Sequence, residues 1–276
     1  MLSVYAKQAA ITCIMVGTTY LSALAQNDCV EKGTQLFGQK KYKQAIMTLR
    51  KCDESTDAQK LLGLSYFEMN YMEDAKKYLQ KAIKAYPDNI SLQIKYADAF
   101  AQNRQFRKGV EEFRSLAKKY PKNIEIKRNL ARVLGWNRDY DEAIAIYRDV
   151  LKKESDDYES WIQIGVYTSW DKKFKAAVAE FDKIIAAKPP RKHETQARYH
   201  KAEVLSWMKK FDESVAEYDK VIALDPKNAQ GYLGKGQVLE WQGKYKPAIK
   251  VYEQALQAAP GNKDAKARLQ NLMWVK

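Results

Sequence analysis

The sequence predicts an all-α protein in which antiparallel helix hairpins stack on one another into a solenoid. Three observations predict it: small and large residues recur in a fixed order, the order repeats about every 34 residues, and proline closes most of the units. A period of this length is typical of stacked helical arrays, in which each hairpin buries its apolar face against the next. About seven such units fit between residues 26 and 260.

Each unit alternates two small residues with two large ones. The first small position reads Gly33, Gly63, Ala97, Ala131, Gly165, Ala202 and Gly236, and the second reads Ala45, Ala75, Gly109, Ala143, Ala177, Ser214 and Ala248. The large positions read Tyr42, Met72, Phe106, Tyr140, Phe174, Phe211 and Tyr245, then Leu49, Leu79, Phe113, Tyr147, Phe181, Tyr218 and Tyr252. We expect the small residues of paired helices to face each other and the aromatics to fill the grooves between hairpins.

Proline marks the ends of five units because it cannot continue a helix. These prolines are Pro87, Pro121, Pro189, Pro226 and Pro260. Extra residues at 189–192 predict a protruding loop between the fifth and sixth units. After the last proline, Ala265, Leu269 and Leu272 form a narrow apolar stripe, which predicts a terminal capping helix within residues 261–276.

The coincidence of small, aromatic and proline positions resembles the pattern of the tetratricopeptide repeat (TPR) family over nearly all of the chain after residue 26. The resemblance implies a right-handed α-solenoid of about seven TPR hairpins, residues 26–260, followed by the cap. It also implies a scaffold for protein–protein interaction. The Lys, Asn and Arg set with which chaperone-binding TPR domains clamp a carboxylate does not recur here, since Lys60 pairs with Leu64 and Arg128 with Arg132.

Residues 1–25 differ from the rest of the chain. Lys7 is their only charge, an apolar run follows from Ala9 to Leu24, and residues 23–25 read Ala-Leu-Ala. These features are typical of a bacterial secretory signal peptide. A membrane anchor is the alternative, but the run contains hydroxyl residues and is shorter than the ~20 apolar residues of a span. We therefore expect export to the periplasm or outer envelope without stable membrane insertion.

The formal net charge is +14, which predicts attraction to anionic surfaces or ligands. Export disfavours nucleic acid as the partner. The expected partners are a protein or peptide segment of the envelope, or an anionic or neutral polysaccharide.

Loss of the signal peptide leaves two cysteines, Cys29 and Cys52. Counting along the first hairpin places one near the start of its first helix and the other near the end of its second, so they lie side by side. The sequence predicts a disulfide in an oxidising compartment, with two buried free thiols as the alternative.

Motifs for catalysis are absent from the sequence. The two histidines, His193 and His200, have no helical metal-pair spacing, and no GxGxxG, GxxxxGK or GxSxG motif occurs. We interpret the histidines as a solvated pair in and just after the predicted loop. The sequence predicts a protein without enzymatic activity, metal or cofactor.

Tryptophan recurs at one repeat position, four residues before the aromatic that opens the second helix: Trp136, Trp170, Trp207 and Trp241. In the TPR family this position lies near the end of the first helix, toward the concave groove. The indoles either pack between first helices or line the groove and stack on sugars or apolar peptide side chains, and both roles are compatible. Residues expected on the same surface complete the candidate site: Arg128, Arg132, Gln163, Val166, Tyr199, His200, Glu203, Gln230 and Gln237.

This mixture of polar and aromatic residues suits an extended peptide or a carbohydrate. The sequence around the tryptophans also resembles the TPR portions of bacterial envelope proteins that accompany exopolysaccharide synthesis and export, such as the cellulose-secretion type. Two functions are therefore predicted. The first is a non-catalytic scaffold for protein–protein interaction in envelope assembly or secretion. The alternative is a glycan-binding module in exopolysaccharide export.

Overall fold

A computed structural model of the protein describes residues 27–272, and all of their regular structure is helical. The predicted signal peptide, residues 1–25, lies outside this range. The helices are α1 (27–38), α2 (Tyr42–Leu49, continued by a 3-10 turn at Arg50–Cys52), α3 (Thr56–Glu68), α4 (Met72–Ala85), α5 (Ile90–Gln102), α6 (Phe106–Lys119), α7 (Ile124–Trp136), α8 (Tyr140–Leu151), α9 (Tyr158–Trp170), α10 (Phe174–Ala186), α11 (Arg191–Trp207), α12 (Phe211–Leu224), α13 (Ala229–Trp241), α14 (Tyr245–Ala258) and α15 (Lys263–Leu272). The prediction of an all-α fold is confirmed.

Two compact units divide the chain, Met1–Val133 and Leu134–Lys276, with the boundary inside α7. In the N-terminal unit each helix packs on the next, as α3 does on α4 and α4 on α5. The C-terminal unit repeats this arrangement from α8 to α15. In both units an odd-numbered helix and the even-numbered helix after it form one hairpin, so we call them the first and second helices of a repeat.

First helices begin at a recurring side-chain cap. An Asn, Asp or Ser side chain accepts a hydrogen bond from the backbone N–H three residues later, at Ser55, Asn89, Asn123, Asp157, Asn228 and Asn262. Each such cap contributes about 1 kcal/mol to helix stability. In four units the cap follows two residues after Pro87, Pro121, Pro226 or Pro260, so a Pro-x-Asn sequence ends one hairpin and begins the next.

Each hairpin turn contains one residue in the left-handed backbone region. Six of these residues are not glycine: Lys40, Asn70, Arg104, Arg138, Lys172 and Lys209. The seventh turn uses Gly243, with a φ of 72°. A side chain with a Cβ atom is disfavoured in this region, whereas glycine adopts it readily.

Replacing Lys209 with Gly is therefore expected to raise the free energy of unfolding by about 0.5–1 kcal/mol, and the reciprocal change Gly243→Ala to lower it by about 1 kcal/mol. Urea denaturation followed by circular dichroism measures both. Lys209 is exposed and has a φ of 60°, so its replacement changes little besides the backbone preference. Changes in the same direction for the two variants would contradict this explanation.

In the four hairpins whose first small residue is glycine, that glycine faces the large residue of the second helix, which corrects the expected pairing of small with small there. A Cβ atom on Gly165 would lie 2.6 Å from a ring carbon of Phe181, and one on Gly236 would lie 2.5 Å from the ring of Tyr252. The large side chain of a second helix thus occupies the space left by the glycine of its own first helix. Two predicted small positions do meet in the sixth hairpin, where the Ser214 hydroxyl donates a hydrogen bond to the backbone carbonyl of Ala202, 2.7 Å away.

The predicted loop at residues 189–192 is only partly correct: residues 189 and 190 lie outside any helix, but residues 191 and 192 belong to a lengthened helix. α11 begins at Arg191, directly after Pro190, and has 17 residues where α9 and α13 have 13. Proline is tolerated at this place because the first turn of a helix needs no hydrogen bond from it. Consequently both His193 and His200 lie on α11 and not in a loop.

Both ends of the described chain agree with the sequence analysis. At the C-terminus, α15 buries Ala265 and Leu272, and Leu269 packs with the same cluster as the capping-helix prediction requires. At the N-terminus, Cys29 on α1 and Cys52 at the end of the 3-10 turn form a disulfide, with their Cα atoms 6.4 Å apart. The predicted pairing is confirmed.

Candidate functional site

Tryptophan ends each of four first helices, α7, α9, α11 and α13, at the positions that the sequence analysis singled out. In the C-terminal unit α11 packs on both α9 and α13. Trp170, Trp207 and Trp241 therefore recur along neighbouring helix ends, and we call these three residues the tryptophan column. Trp136 is half-buried, unlike these three exposed residues.

Each indole of the tryptophan column packs on the aromatic ring that opens the preceding second helix. Trp207 lies 6.0 Å from Phe174, and Trp241 lies 6.4 Å from Phe211, measured between ring centroids. Trp170 lies 6.2 Å from Tyr140. Contacts of this kind stabilise neighbouring aromatic rings by about 0.5–1.5 kcal/mol beyond the area that they bury. The column therefore ties successive hairpins together.

The same three indoles remain largely accessible. Their exposed fractions are 45% for Trp170, 44% for Trp207 and 50% for Trp241. Tryptophan is normally well buried in a stable fold, so three exposed indoles at equivalent repeat positions are unusual. Each indole thus packs on its neighbour with one part and leaves another part accessible, which is compatible with both predicted roles of the column.

A small cavity lies between α11 and α13, at the C-terminal end of the tryptophan column. We call it the Glu203 pocket. Its volume is about 100 Å³, and its lining includes Tyr199, Glu203, Ser206, Trp207, Tyr218, Gln230, Leu233, Gly234, Gln237, Val238 and Trp241. The structure therefore brings together six residues of the predicted surface: Tyr199, Glu203, Trp207, Gln230, Gln237 and Trp241.

The carboxylate of Glu203 organises the polar side of the pocket. Its Oε2 atom lies 2.9 Å from Nδ1 of His200, and the Tyr199 hydroxyl donates a hydrogen bond to it. Burial, together with the charge of Glu203, raises the pKa of Tyr199 far above its usual value, and the same two causes raise the pKa of Tyr218. Both phenols are consequently neutral donors throughout the physiological range.

A buried carboxylate on α12 fixes the opposite side of α11. Glu217 is only 5% exposed, and it accepts hydrogen bonds from Arg198 at 3.0 Å and Lys201 at 3.1 Å, both on α11. Lys220 donates a third at 2.9 Å. Burial would raise the pKa of Glu217, but the three cationic donors outweigh it and lower the pKa. This network holds α11 in place and so positions Tyr199, Glu203 and Trp207.

Other predicted site residues lie elsewhere. Arg132 belongs to the N-terminal unit, where it forms an ion pair with Asp98 at 2.5 Å, and Arg128 is half-buried in the same unit. Gln163 is half-buried on α9 and does not line the Glu203 pocket, and Val166 is buried in the core. His200 contributes through its contact with Glu203 and does not line the cavity itself.

Five of the residues that line the Glu203 pocket were not predicted as site residues: Ser206, Tyr218, Leu233, Gly234 and Val238. Tyr218 comes from a second helix, and its ring passes against Gly234, where a Cβ atom would lie 2.3 Å from the ring. The Tyr199 and Tyr218 rings meet edge to face with centroids 5.8 Å apart. Gly234 lies inside the continuous helix α13 and falls outside the two small-residue series. An isolated glycine within a helical pattern is the sequence signal that points to a close approach at this position.

Comparison with known proteins identifies the family. A sequence profile described as tetratricopeptide repeat matches residues 95–159, 128–192 and 208–263, which together make more than half of the chain. The chain belongs to the TPR family. A second TPR profile matches residues 60–89. Among proteins of curated function, none matches the sequence at a significant level.

Solved structures of other proteins resemble the fold, among them two TPR proteins. A tetratricopeptide repeat protein from Parabacteroides merdae superimposes with a TM-score of 0.71 at 14% identity, over 90% of this chain and 99% of the other. The C-terminal part of a TPR repeat-containing protein from Cytophaga hutchinsonii gives a TM-score of 0.62 at 15% identity, over 87% and 99% of the two chains. The APC/C hetero-tetramer Cut9–Hcn1 gives 0.56 at 13% identity, over 90% of this chain and 46% of the other.

TPR repeats commonly form scaffolds for protein–protein interaction, and this chain has their fold.

Across residues 27–272, the structure places no group of three or more His, Cys, Asp or Glu side chains where they would hold a metal ion. Within the same range, none of the helices combines the length and apolar character that crossing a bilayer requires.

Proposed function

We propose that this TPR protein is a non-catalytic scaffold of the bacterial cell envelope, which binds an extended segment of a partner protein along the tryptophan column. The observation that supports the proposal best is that Trp170, Trp207 and Trp241 stay 44–50% exposed although each already packs on an aromatic neighbour. If the indoles served only to pack neighbouring hairpins together, about half of each ring would not need to face solvent. An apolar strip of this kind suits the side chains of an extended chain.

Two further observations support the location and the class of partner. The Cys29–Cys52 disulfide fits an oxidising compartment, as does the signal-like sequence of residues 1–25. A chain that shares the fold belongs to the APC/C hetero-tetramer Cut9–Hcn1. Proteins with this fold thus include one that assembles with a partner chain.

A glycan-binding role in exopolysaccharide export is the second candidate. Exposed indoles offer flat surfaces on which sugar rings stack, and the half-buried Gln163 and Gln237 offer amide groups for hydroxyls. The net charge of +14 favours an anionic polysaccharide. This candidate uses the same tryptophan column and differs only in the ligand.

Peptide selection on the purified protein tests the proposal. We expect random dodecapeptides displayed on phage to yield binders of micromolar affinity, and the double variant Trp170→Ala/Trp207→Ala to bind them at least tenfold more weakly. The loss follows because two of the three exposed rings are removed. Trp161→Phe is the matched control, since Trp161 belongs to α9 but donates its indole N–H to Glu180, 3.2 Å away.

Circular dichroism of each variant separates lost binding from lost structure. Intrinsic fluorescence titrated with neutral and anionic bacterial polysaccharides, at two salt concentrations, examines the second candidate in the same variants. A saturable response to a polysaccharide without any peptide binders would favour the glycan role. Peptide binding that survives the double variant, in a folded protein, would refute the proposed site.

A further inference from the structure

One charged group distinguishes the Glu203 pocket from the rest of the tryptophan column. Among the residues that the structure describes as lining the pocket, Glu203 is the charged one, and no Lys or Arg is present. The neighbours that bond to Glu203 are the neutral hydroxyl of Tyr199 and the imidazole of His200. A hydroxyl donor shares the negative charge without cancelling it, and the imidazole cancels it only when protonated. The pocket therefore presents a carboxylate in a protein whose overall charge is +14.

Aromatic rings surround that carboxylate. Trp207, Trp241, Tyr199 and Tyr218 all line the same cavity, and the two indoles are 44% and 50% exposed. The faces of aromatic rings attract cations, and a nearby carboxylate adds a direct charge partner. Gln230 and Gln237 provide carbonyl oxygens that accept hydrogen bonds from a cationic donor. Carboxylate, ring faces and acceptor oxygens are complementary to a positive group.

The size of the cavity limits what enters it. The cavity volume of about 100 Å³ is well below the ~300–1,000 Å³ of clefts that enclose a drug-sized ligand. The tip of a lysine or arginine side chain fits this space. A whole sugar ring is larger and can only lie across the opening, on the indoles. Volume therefore favours a side-chain tip over a sugar.

We infer that the Glu203 pocket binds the cationic tip of a lysine or arginine side chain of the partner segment, whose apolar residues lie on the tryptophan column. This inference rests on the proposed function and adds the chemistry of one anchor residue. The arrangement is opposite in charge to a clamp for a C-terminal carboxylate. Because the protein as a whole repels cationic segments, the pocket selects one positive residue in an otherwise uncharged or acidic stretch.

Fluorine NMR of the purified protein labelled with 5-fluorotryptophan tests the inference. The probe is n-butylammonium chloride, a mimic of the lysine side chain, with n-butanol as the uncharged control and sodium chloride at matched ionic strength. We expect saturable shifts of the Trp207 and Trp241 signals with n-butylammonium and none with either control. The Trp161 signal is the internal reference, since its indole N–H is bonded to Glu180.

Glu203→Gln is the decisive variant, because it removes the charge while keeping the shape and an acceptor for Tyr199. We expect it to weaken n-butylammonium binding at least tenfold with an unchanged helical spectrum. Glu213→Gln is the matched control, since Glu213 is an exposed carboxylate on α12, with 59% of its side chain accessible. Equal responses to n-butanol and n-butylammonium would overturn the inference, as would undiminished binding by a folded Glu203→Gln variant.

Two sugar oligomers separate the remaining alternatives. Cellohexaose that competes with n-butylammonium and still binds the Glu203→Gln variant would assign the pocket to glycan and overturn the inference. A glucosamine hexamer that binds more tightly than a lysine-containing peptide would overturn the choice of a protein side chain. If n-butylammonium does not bind, but binding of the selected peptides still depends on Trp170 and Trp207, the cation-binding role of the pocket is refuted. The proposed function then stands.

Discussion

Replacing Glu217 with Ala is expected to lower the free energy of unfolding of the C-terminal unit by about 3 kcal/mol. Removing one partner of a buried ion pair costs about 3–5 kcal/mol, because the remaining charge stays buried without compensation. The lower end applies here, since Arg198 keeps Glu194 at 2.8 Å and Lys201 keeps Asp182 at 2.7 Å. Urea denaturation at pH 7, followed by the fluorescence of the tryptophans, measures the change.

The pH dependence of this loss has a definite sign. The pKa of Glu217 is lowered in the folded protein, so its contribution is fully present above the pKa of the unfolded state and is lost as pH falls through the folded pKa. The difference between wild type and Glu217→Ala should therefore shrink in acid. Glu213→Ala, an exposed change on the same helix, should cost less than about 0.5 kcal/mol. Equal costs for the two variants would contradict a structural role of the network.

Removing the disulfide with Cys29→Ala/Cys52→Ala is expected to destabilise the first hairpin by about 3 kcal/mol. The two cysteines are 23 residues apart, and in the chain-entropy model closing a loop of this length restricts the unfolded chain by that amount. Hydrogen exchange detected by mass spectrometry measures the local effect. Amides in α1 and α2 should exchange about a hundredfold faster, as 1.4 kcal/mol corresponds to a factor of ten.

Peptides from α13 and α14 provide the reference for this experiment. They should keep their exchange rates, because contacts in a repeat array are made between neighbouring hairpins. Titration of the unreduced wild type with a thiol reagent in denaturant should find no reactive thiol at Cys29 or Cys52. Two reactive thiols there would contradict the disulfide and the stabilisation derived from it.

The repeat period made the helix boundaries of this fold predictable. Each first helix from α7 to α13 ends at a tryptophan, and each second helix begins at a large residue of the series, such as Tyr140 or Phe211. The period predicts helix boundaries because every hairpin packs against its neighbours through the same repeat positions. The disulfide followed from the same counting, since Cys29 and Cys52 fall at matching ends of an antiparallel pair.

The details of packing were less predictable from the sequence. Gly165 faces Phe181 and not another small residue, because which side chain fills a gap depends on the rotation of both helices. Residues inserted after Pro190 form an extra helical turn at the start of α11. The sequence did not predict this turn because proline is compatible with both a loop and a helix start. Local sequence does not distinguish these two outcomes.

The candidate site depends on tertiary contacts that a one-dimensional pattern does not show. The alignment of repeats placed Tyr199, Glu203 and Trp207 on one face, and the structure brings them to one cavity. Tyr218 enters from a second helix because Gly234 leaves room for its ring. Arg132 has the right repeat position but forms an ion pair with Asp98, since a neighbouring first helix supplies the carboxylate.

Photo-crosslinking in cells that produce the protein tests the central claim most directly. p-Benzoylphenylalanine would replace Trp170, Trp207 or, as a control on the exposed surface of α14, Lys250. We predict discrete protein adducts from positions 170 and 207 and none from 250, and the adduct from position 170 should disappear when Trp207 and Trp241 are both replaced by Ala. Adducts of equal yield from all three positions, or none from the tryptophan column, would contradict a binding role for it.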